Sequence, residues 1–502
     1  MYLPQYHIVP ENSMWWGEGF TDWVTVRNAK PLFPGHEQPK SPLDDRYYDL
    51  LEKDTWIWQS ELMRKYGIDG LSIYHYWFRD GKQILEKPVE KLLNWKDINI
   101  PFCFCWANET WARSWSGVRN KNTWADTFEN QKKDFNPSIL LEQRYGFEEE
   151  WKKHFDYLRR FFDDSRYIKI DGKPLIMIYR ADIIPCLSNM LDMWKKWAVQ
   201  EGFKGLFIIG AQRSDKELSM LDAELIHEPV RAKIWFEERE KEHKYPFKHD
   251  YDKIWENILG FRANKSAWYG GFVSYDDTPR RGINGSFIAG YSTEKFREYL
   301  KELMAKNEMA GNEYTLINAW NEWGEGMYLE PDKELGYQML EAVKEAKDNY
   351  HQVLFRTDKY EEPGRISEEE KDIRKLNHYL FLLDKWLSKD NWSEKFISFA
   401  SKNNIKKIGI YGYSVLGKQL FRELSTKEKI DIECIIDKRD LSKANVPVAA
   451  IKSSEEIPKL DAIVVTAVEY YNEIYLSLKN RTDAKIYSLE HLIDELGEDL
   501  YA

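Results

Sequence analysis

The sequence predicts an α/β protein: a (β/α)8 TIM-type barrel over residues 1–350, a helical linker over 351–402, and a small Rossmann-like α/β domain over 403–502. Three observations carry this reading. Eight short apolar runs recur over the first 350 residues, separated mostly by helical stretches, which is the rhythm of alternating parallel strands and helices. Nearly every run ends, on its C-terminal side, in a cluster of Trp, Tyr, Asn, Asp, Glu or His, and that face of such a barrel carries the active site. The composition also shifts: of 21 tryptophans, only Trp386 and Trp392 lie beyond Trp323.

The first strand is expected at the very start of the chain, and strand character beginning at Met1 raises the expectation of a longer natural N-terminus. It leads into a long loop carrying Gln5, His7, Trp16, Glu18 and Asp22. A helix over 54–66 precedes the second run, 67–78, which ends in His75, Tyr76 and Trp77. The third run, P-F-C-F-C-W at 101–106, continues into Asn108, Glu109 and Trp111. Helices at 147–162 and 187–200 precede the fourth and fifth runs, 173–180 and 205–212. The sixth, 223–227, ends in Glu228; the seventh, 267–275, runs into Asp276, Asp277 and Arg280. A helix at 293–306 then leads to the eighth, 314–319.

Beyond it, residues 351 to about 400 read as charged and helical, with the acidic run Glu368, Glu369, Glu370 as a solvated face. From Lys406 the pattern becomes strand, glycine turn and helix, with further strands ending at Asp437 and over 462–468 and 484–487. Gly412, Gly417 and Asp437 are candidate nucleotide contacts. The G-x-G-x-x-G fingerprint is incomplete, because Ser414 holds the middle position, so a glycine-turn scaffold without nucleotide is the alternative.

A net charge of −11 argues against a nucleic-acid partner. No apolar run is long enough for a membrane span, and no secretory leader is visible at Met1. Cys103 and Cys105 alternate within one strand, so the four cysteines read as thiols of a reducing, cytoplasmic compartment. The ten histidines show no metal-binding spacing, and no metal or cofactor is predicted.

The eighth run flows into Asn321, Glu322, Trp323, Gly324, Glu325 and Gly326. Glycines let this turn fold tightly, bringing two carboxylates to about 5–6 Å, the separation of a retaining glycosidase pair. At that distance the ionisation of one carboxylate raises the pKa of the other, leaving a neutral acid and an ionised partner. Glu322 and Glu325 are therefore the candidate catalytic residues. Trp16, Trp106, Trp111 and Trp323 are candidate sugar platforms. Gln5, His7, Glu18, His75, Asn108, Glu109, Glu228, Asp277 and Arg280 are candidate hydroxyl contacts, and Asn321 a candidate for orienting Glu322. For each supporting residue a purely structural role is the alternative.

The segments Y-L-P-Q-Y-H, W-W-G-E-G-F-T-D-W, P-F-C-F-C-W-A-N-E, D-D-T-P-R and W-N-E-W-G-E-G…L-E-P, in that order over roughly residues 1–350, resemble the WbsX-like family. That family is grouped with glycoside hydrolase family 99-like domains and is found in bacterial surface-polysaccharide loci. The resemblance implies a barrel and a carbohydrate-active enzyme of O-antigen, lipopolysaccharide or capsule metabolism. Family 99 hydrolases are retaining endo-α-mannosidases. Carried over by position, Glu322 is the base acting on the substrate's 2-hydroxyl, and Glu325 the acid/base. Gly324 stands where those hydrolases typically have His. Because WbsX-like members carry a glycosyltransferase label, the resemblance implies either transfer or hydrolysis; a non-catalytic glycan-binding module is a third reading. The implied partners are an oligosaccharide or lipid-linked glycan and, for a transferase, a sugar nucleotide.

Overall fold

The computed structural model describes residues 1–112, 139–211, 220–237, 246–260, 266–353, 368–389, 391–441 and 446–496. Seven parallel strands form the barrel wall, hydrogen-bonded in chain order: β1 (Leu71–His75), β2 (Phe102–Trp106), β3 (Lys173–Ile178), β4 (Phe207–Ala211), β5 (Ala223–Ile226), β6 (Ala267–Phe272) and β7 (Leu316–Asn318). Most face helices on one side and the barrel interior on the other, so they read as unbroken apolar runs such as F-C-F-C-W.

The eighth place is taken by the N-terminal segment. Tyr2 bridges Ile73 in parallel register, donating its N–H to Ser72 O and accepting from Tyr74 N. On the other side, the Met1 amino group donates to Ile317 O, and Trp320 N donates to Met1 O. Asn321 closes the seam: its Oδ1 accepts from Leu3 N (2.8 Å) and its Nδ2 donates to Leu3 O (3.0 Å). A cavity of about 820 Å³ is lined by residues 67–72 and 314–317 together with Met1.

Helices Lys53–Tyr66, Glu148–Phe162, Leu187–Gln200 and Thr293–Met309 fall close to their expected positions. Glu148–Phe162 turns Trp151, Phe155, Leu158 and Phe162 inward at helical spacing, which is why it packs on the sheet. Two short helices, Pro10–Trp16 and Asp22–Asn28, organise the segment expected to be a loop. A parallel strand pair, Phe247–Asp250 with Ser286–Ala289, was not foreseen; each strand is only four residues long. Gln212, expected at the end of the fifth run, lies outside the described residues.

The C-terminal domain is a five-stranded parallel sheet. In chain order its strands are Lys407–Tyr411, Asp431–Asp437, Ala449–Lys452, Ala462–Val465 and Lys485–Ser488; in space they run third, second, first, fourth, fifth. Ala449–Lys452 escaped the sequence reading because, as an exposed edge strand, it carries one large apolar residue. Two helices expected as a spacer, Glu368–Leu387 and Trp392–Lys402, pack one face on this sheet: Leu382, Trp386, Trp392 and Phe396 share one core with Ile408, Leu416 and Leu420. Among the described residues, no helix is long and apolar enough to cross a membrane.

Candidate active site

After β7 the chain makes a tight hairpin. Asn321–Glu322 pairs antiparallel with Met327–Tyr328, and Trp323–Glu325 forms a single 3-10 turn between them. Both glutamates then line a cleft of about 460 Å³ at the C-terminal face of the barrel. Arg280, from the short helix Thr278–Arg281 beyond β6, lays its guanidinium between them. Its Nη2 donates to Glu322 Oε1 (2.9 Å) and its Nη1 to Glu325 Oε1 (2.8 Å). Nη2 also pairs with Asp22 Oδ2, and Gln5 Nε2 bonds both Asp22 and Glu322 Oε2, the latter at 3.3 Å. One planar guanidinium touching both glutamates caps the separation of the bonded oxygens at about 8 Å, a span that includes the retaining separation and the lower part of the inverting range.

Gly324 makes this arrangement possible. A Cβ there would stand 2.7 Å from Arg280 Nε and Nη2 and 2.8 Å from Cζ, closer than non-bonded atoms approach. The glycine is thus the floor on which the guanidinium rests. Burial pushes the Glu322 carboxyl above the ordinary carboxylate range; Glu325 and Asp22 push the same way, while Arg280 and Gln5 pull it back. Burial also opposes the charge of Arg280, but Asp22, Glu322 and Glu325 together hold its pKa above the usual value.

The facing wall comes from β1, β3 and β5. Side chains alternate along a strand, so Tyr74 and Tyr76 face the cleft while His75 and Trp77 face the surrounding helices. Tyr74 Oη lies 3.3 Å from His227 Nε2, and the Tyr179 ring stands edge-on to both. Tyr76 meets Trp111 edge-to-face at 5.2 Å, next to Glu109 and Thr110. Flat rings and hydroxyls beside a carboxylate pair match the two kinds of surface a sugar presents, its C–H face and its hydroxyl rim.

Of the residues singled out in the sequence, Gln5, Glu109, Trp111, Arg280, Glu322 and Glu325 line this cleft. The others do not line it. His75 is 3% exposed in the sheet–helix layer, its Nε2 2.9 Å from His154 Nε2, and burial pushes its pKa down to about 3. Trp106 donates to Trp77 O (3.2 Å) in the same layer. Asn108 joins two strand ends, accepting from Arg180 N and donating to Arg180 O, both at 2.8 Å. Glu228 accepts from Arg231 Nε (2.6 Å) and Ala232 N (3.0 Å), holding the start of its own helix. Asp277 accepts from Tyr275 Oη (2.8 Å) and Ser286 N (2.6 Å), fixing its loop. Trp323 is 1% exposed and stacks on Tyr328 at 3.7 Å, so its face is not offered to a sugar. His7 and Trp16 are buried and Glu18 is exposed, and none of the three lines the cleft.

Sequence reasoning did not count Asp22, Tyr74, Tyr76, Tyr179, His227 and Glu330 among the candidate site residues. Tyr74, in β1, and Tyr76, just past its end, share the face that lines the cleft. Glu330 is the least obvious: it is 3% exposed, and its Oε1 accepts from Gln59 Nε2 (2.7 Å) and Trp320 Nε1 (2.9 Å). Its Oε2 accepts from Tyr48 Oη and Trp323 Nε1, both at 2.7 Å, so one carboxylate clamps the two tryptophans that flank Glu322. In the C-terminal domain, Asp437 accepts from Tyr413 N (2.9 Å) and from Arg439 N, Nε and Nη2. Gly417 is required by packing, since a Cβ there would lie 2.0 Å from Gly412 O. These contacts hold Asp437 and Gly417 against the turn that Gly412 opens.

Residues 1–343 match the family model described as Glycosyltransferase WbsX. The chain belongs to this family. The matched span holds the whole barrel wall. The chain is also 30% identical over 358 residues to "Uncharacterized protein WxcX" of Xanthomonas campestris pv. campestris strain B100. The match covers 69% of this chain and 48% of that protein, and the same protein of strain ATCC 33913 matches to the same extent over 357 residues. The WbsX-family chain thus spans about half the length of the curated relatives it matches. Among solved structures it is similar to the GH99 endo-alpha-mannosidase of Bacteroides thetaiotaomicron, at 15% identity in two structures with TM-scores of 0.42 and 0.40. Each covers 70% of this chain and 96% of the mannosidase.

Proposed function

We propose that the chain makes or breaks a glycosidic bond during assembly of a bacterial surface polysaccharide, with Glu322 and Glu325 as the reacting carboxylates. The observation that carries this reading is the pair itself: two glutamates of one hairpin, bridged by one guanidinium, in a ring-lined cleft at the C-terminal face of a barrel. Glu322 takes a proton from the sugar's 2-hydroxyl, whose oxygen attacks the anomeric carbon. Glu325 gives its proton to the departing glycosidic oxygen; in the second step it takes one from the incoming water or acceptor hydroxyl, whose oxygen bonds the anomeric carbon as the bond from that carbon to the 2-oxygen breaks and Glu322 returns its proton to the 2-oxygen. The raised proton affinity of Glu322 strengthens it as a base in its ionised form, and that form grows as pH rises through the raised pKa. When Glu322 accepts that proton, Asp22 and Glu325 still hold Arg280 in place.

Transfer to a growing glycan is the leading role, at the cytoplasmic face of the membrane. Four buried, unpaired cysteines support a reducing compartment. Endo-α-mannosidase-like hydrolysis uses the same residues with water as acceptor. A paired assay separates these: α-mannosidic oligosaccharides alone, then sugar nucleotides with an oligosaccharide acceptor, with Glu325→Gln as control. Cleavage without nucleotide, lost in the variant, identifies a hydrolase; nucleotide-dependent product, lost in the variant, identifies a transferase. Binding without turnover across a broad panel identifies a glycan-binding module and overturns the catalytic reading.

A further inference from the structure

One wall of the cleft, Glu109 to Trp111, opens a long excursion between β2 and the helix Glu148–Phe162. The outgoing leg, Trp111–Ala112, pairs antiparallel with the return leg, Ile139–Leu141, and Gln143 N donates to Thr110 Oγ1 (3.1 Å). The return leg ends at Tyr145, Gly146 and Phe147, and the C-terminal domain grips it there. Glu495 Oε1 accepts from Tyr145 N and Gly146 N, each at 3.0 Å, and His491 Nε2 donates to Gly146 O (2.6 Å). The Phe147 ring lies among Phe399, Tyr487 and His491. Inward from the same point, Tyr145 Oη donates to Asn108 O and accepts from Asn108 Nδ2, both at 3.1 Å. Asn108 holds the Arg180 backbone, and Arg180 Nη1 donates to Glu109 Oε1 (3.0 Å).

We infer that the C-terminal domain is a brace for the cleft: through Glu495 and His491 it positions the Glu109–Trp111 wall, and with it the part of a glycan lying against that wall. Two independent routes join grip and wall, the strand pair with its Thr110 bond and the Tyr145–Asn108–Arg180 path. The domain docks on the barrel elsewhere as well, through Lys479 to Asp192 (2.7 Å) and Asn189 Nδ2 to Ile486 O (3.0 Å) on the helix Leu187–Gln200. Those contacts touch neither route, so they supply the control. Glu495 and His491 are positioning residues, and the functional half of the inference rests on the glycan reading of the cleft.

The test compares the full-length wild type with Glu495→Ala, Glu495→Gln and Lys479→Ala. The first readout is hydrogen exchange, which needs no substrate. In Glu495→Ala, amides of residues 107–111 and 143–147 and the Arg180 amide exchange about tenfold faster, while β6 amides are unchanged. Glu495→Gln, which keeps one acceptor oxygen, gives a smaller change in the same amides, and Lys479→Ala gives none there. The second readout is turnover of an extended oligosaccharide: KM rises about tenfold in Glu495→Ala with kcat nearly constant, as for loss of one positioned contact. Unchanged exchange in both Glu495 variants, or equal loosening in Lys479→Ala, overturns the brace. Local loosening in an enzyme that turns over no glycan overturns the functional reading and leaves the brace standing.

Discussion

One methyl group tests the carboxylate–arginine cluster. Gly324→Ala sets a Cβ 2.7 Å from Arg280 Nε and Nη2, and 2.8 Å from Cζ. Such atoms rest at about 3.5 Å, so the guanidinium withdraws by about 0.7–0.8 Å. Bonds now at 2.9 and 2.8 Å to Glu322 and Glu325 then stretch to about 3.6 Å, beyond a hydrogen bond. Each charge-assisted bond contributes about 1.5–3 kcal/mol, and its loss leaves Glu322 buried beside two like charges. Against this, replacing glycine by alanine restricts the unfolded chain and returns about 0.4–1 kcal/mol. The net expectation is about 2–5 kcal/mol of lost stability, read as a lower urea midpoint, with turnover falling by at least about a hundredfold. Arg280→Ala made in the Gly324→Ala background should cost much less than in the wild type, because the two changes remove one interaction. Wild-type stability, turnover and pH profile in Gly324→Ala would refute the reasoning.

Glu322→Gln and Glu325→Gln should each lower turnover by about a thousandfold or more while calorimetry finds glycan affinity within a few-fold of wild type. The pH dependence follows from Glu322, whose folded pKa lies above its unfolded value. Between the two values the folded chain holds a proton that the unfolded chain releases, so stability falls as pH rises from about 4.5 toward the raised value. Urea midpoints across that window should decline in the wild type and less steeply in Glu322→Gln, where buried Glu330, raised to about 7, still titrates; if Glu322 is the base, kcat rises through the Glu322 titration. Glu330→Gln sets an amide N–H₂ against donors, and should cost about 2–4 kcal/mol and shift tryptophan emission to longer wavelength. His378, hydrogen-bonded to Glu469 and Glu490, has its pKa raised to about 10, so its contribution is complete below about pH 6.5 and is lost as pH rises through 10. Limited proteolysis of the helix Glu368–Leu387 should therefore accelerate near pH 10 in the wild type, and His378→Gln should abolish that dependence.

The barrel was legible because strands buried on both faces leave apolar runs, and because polar clusters recur at one end of those runs. Arg280, Glu322 and Glu325 stood out for the same reason, each just past a strand end. What sequence could not resolve was parity: His75 and Tyr76 are neighbours, yet only the tyrosine faces the cleft, since one residue of register exchanges the faces. Trp323 was a reasonable sugar platform until Tyr328 and Glu330 were seen to claim its face and its N–H. Asp22 and Glu330 act through partners far away in sequence, and no local pattern reports such a partner.

The contact from Gln5 to Glu322 spans 317 residues of chain. At about 5–20 residues per second of synthesis, roughly 15–60 s separate the emergence of one from that of the other. Through that interval a nascent chain can fold helices and neighbouring strands, but it holds no carboxylate pair, no Gln5 seam and no Asn321 latch. On the proposed reading, competence toward a glycan therefore switches on only with ring closure. Enzymatic turnover, measured against the arrival of secondary structure, becomes a clock for the last step of folding.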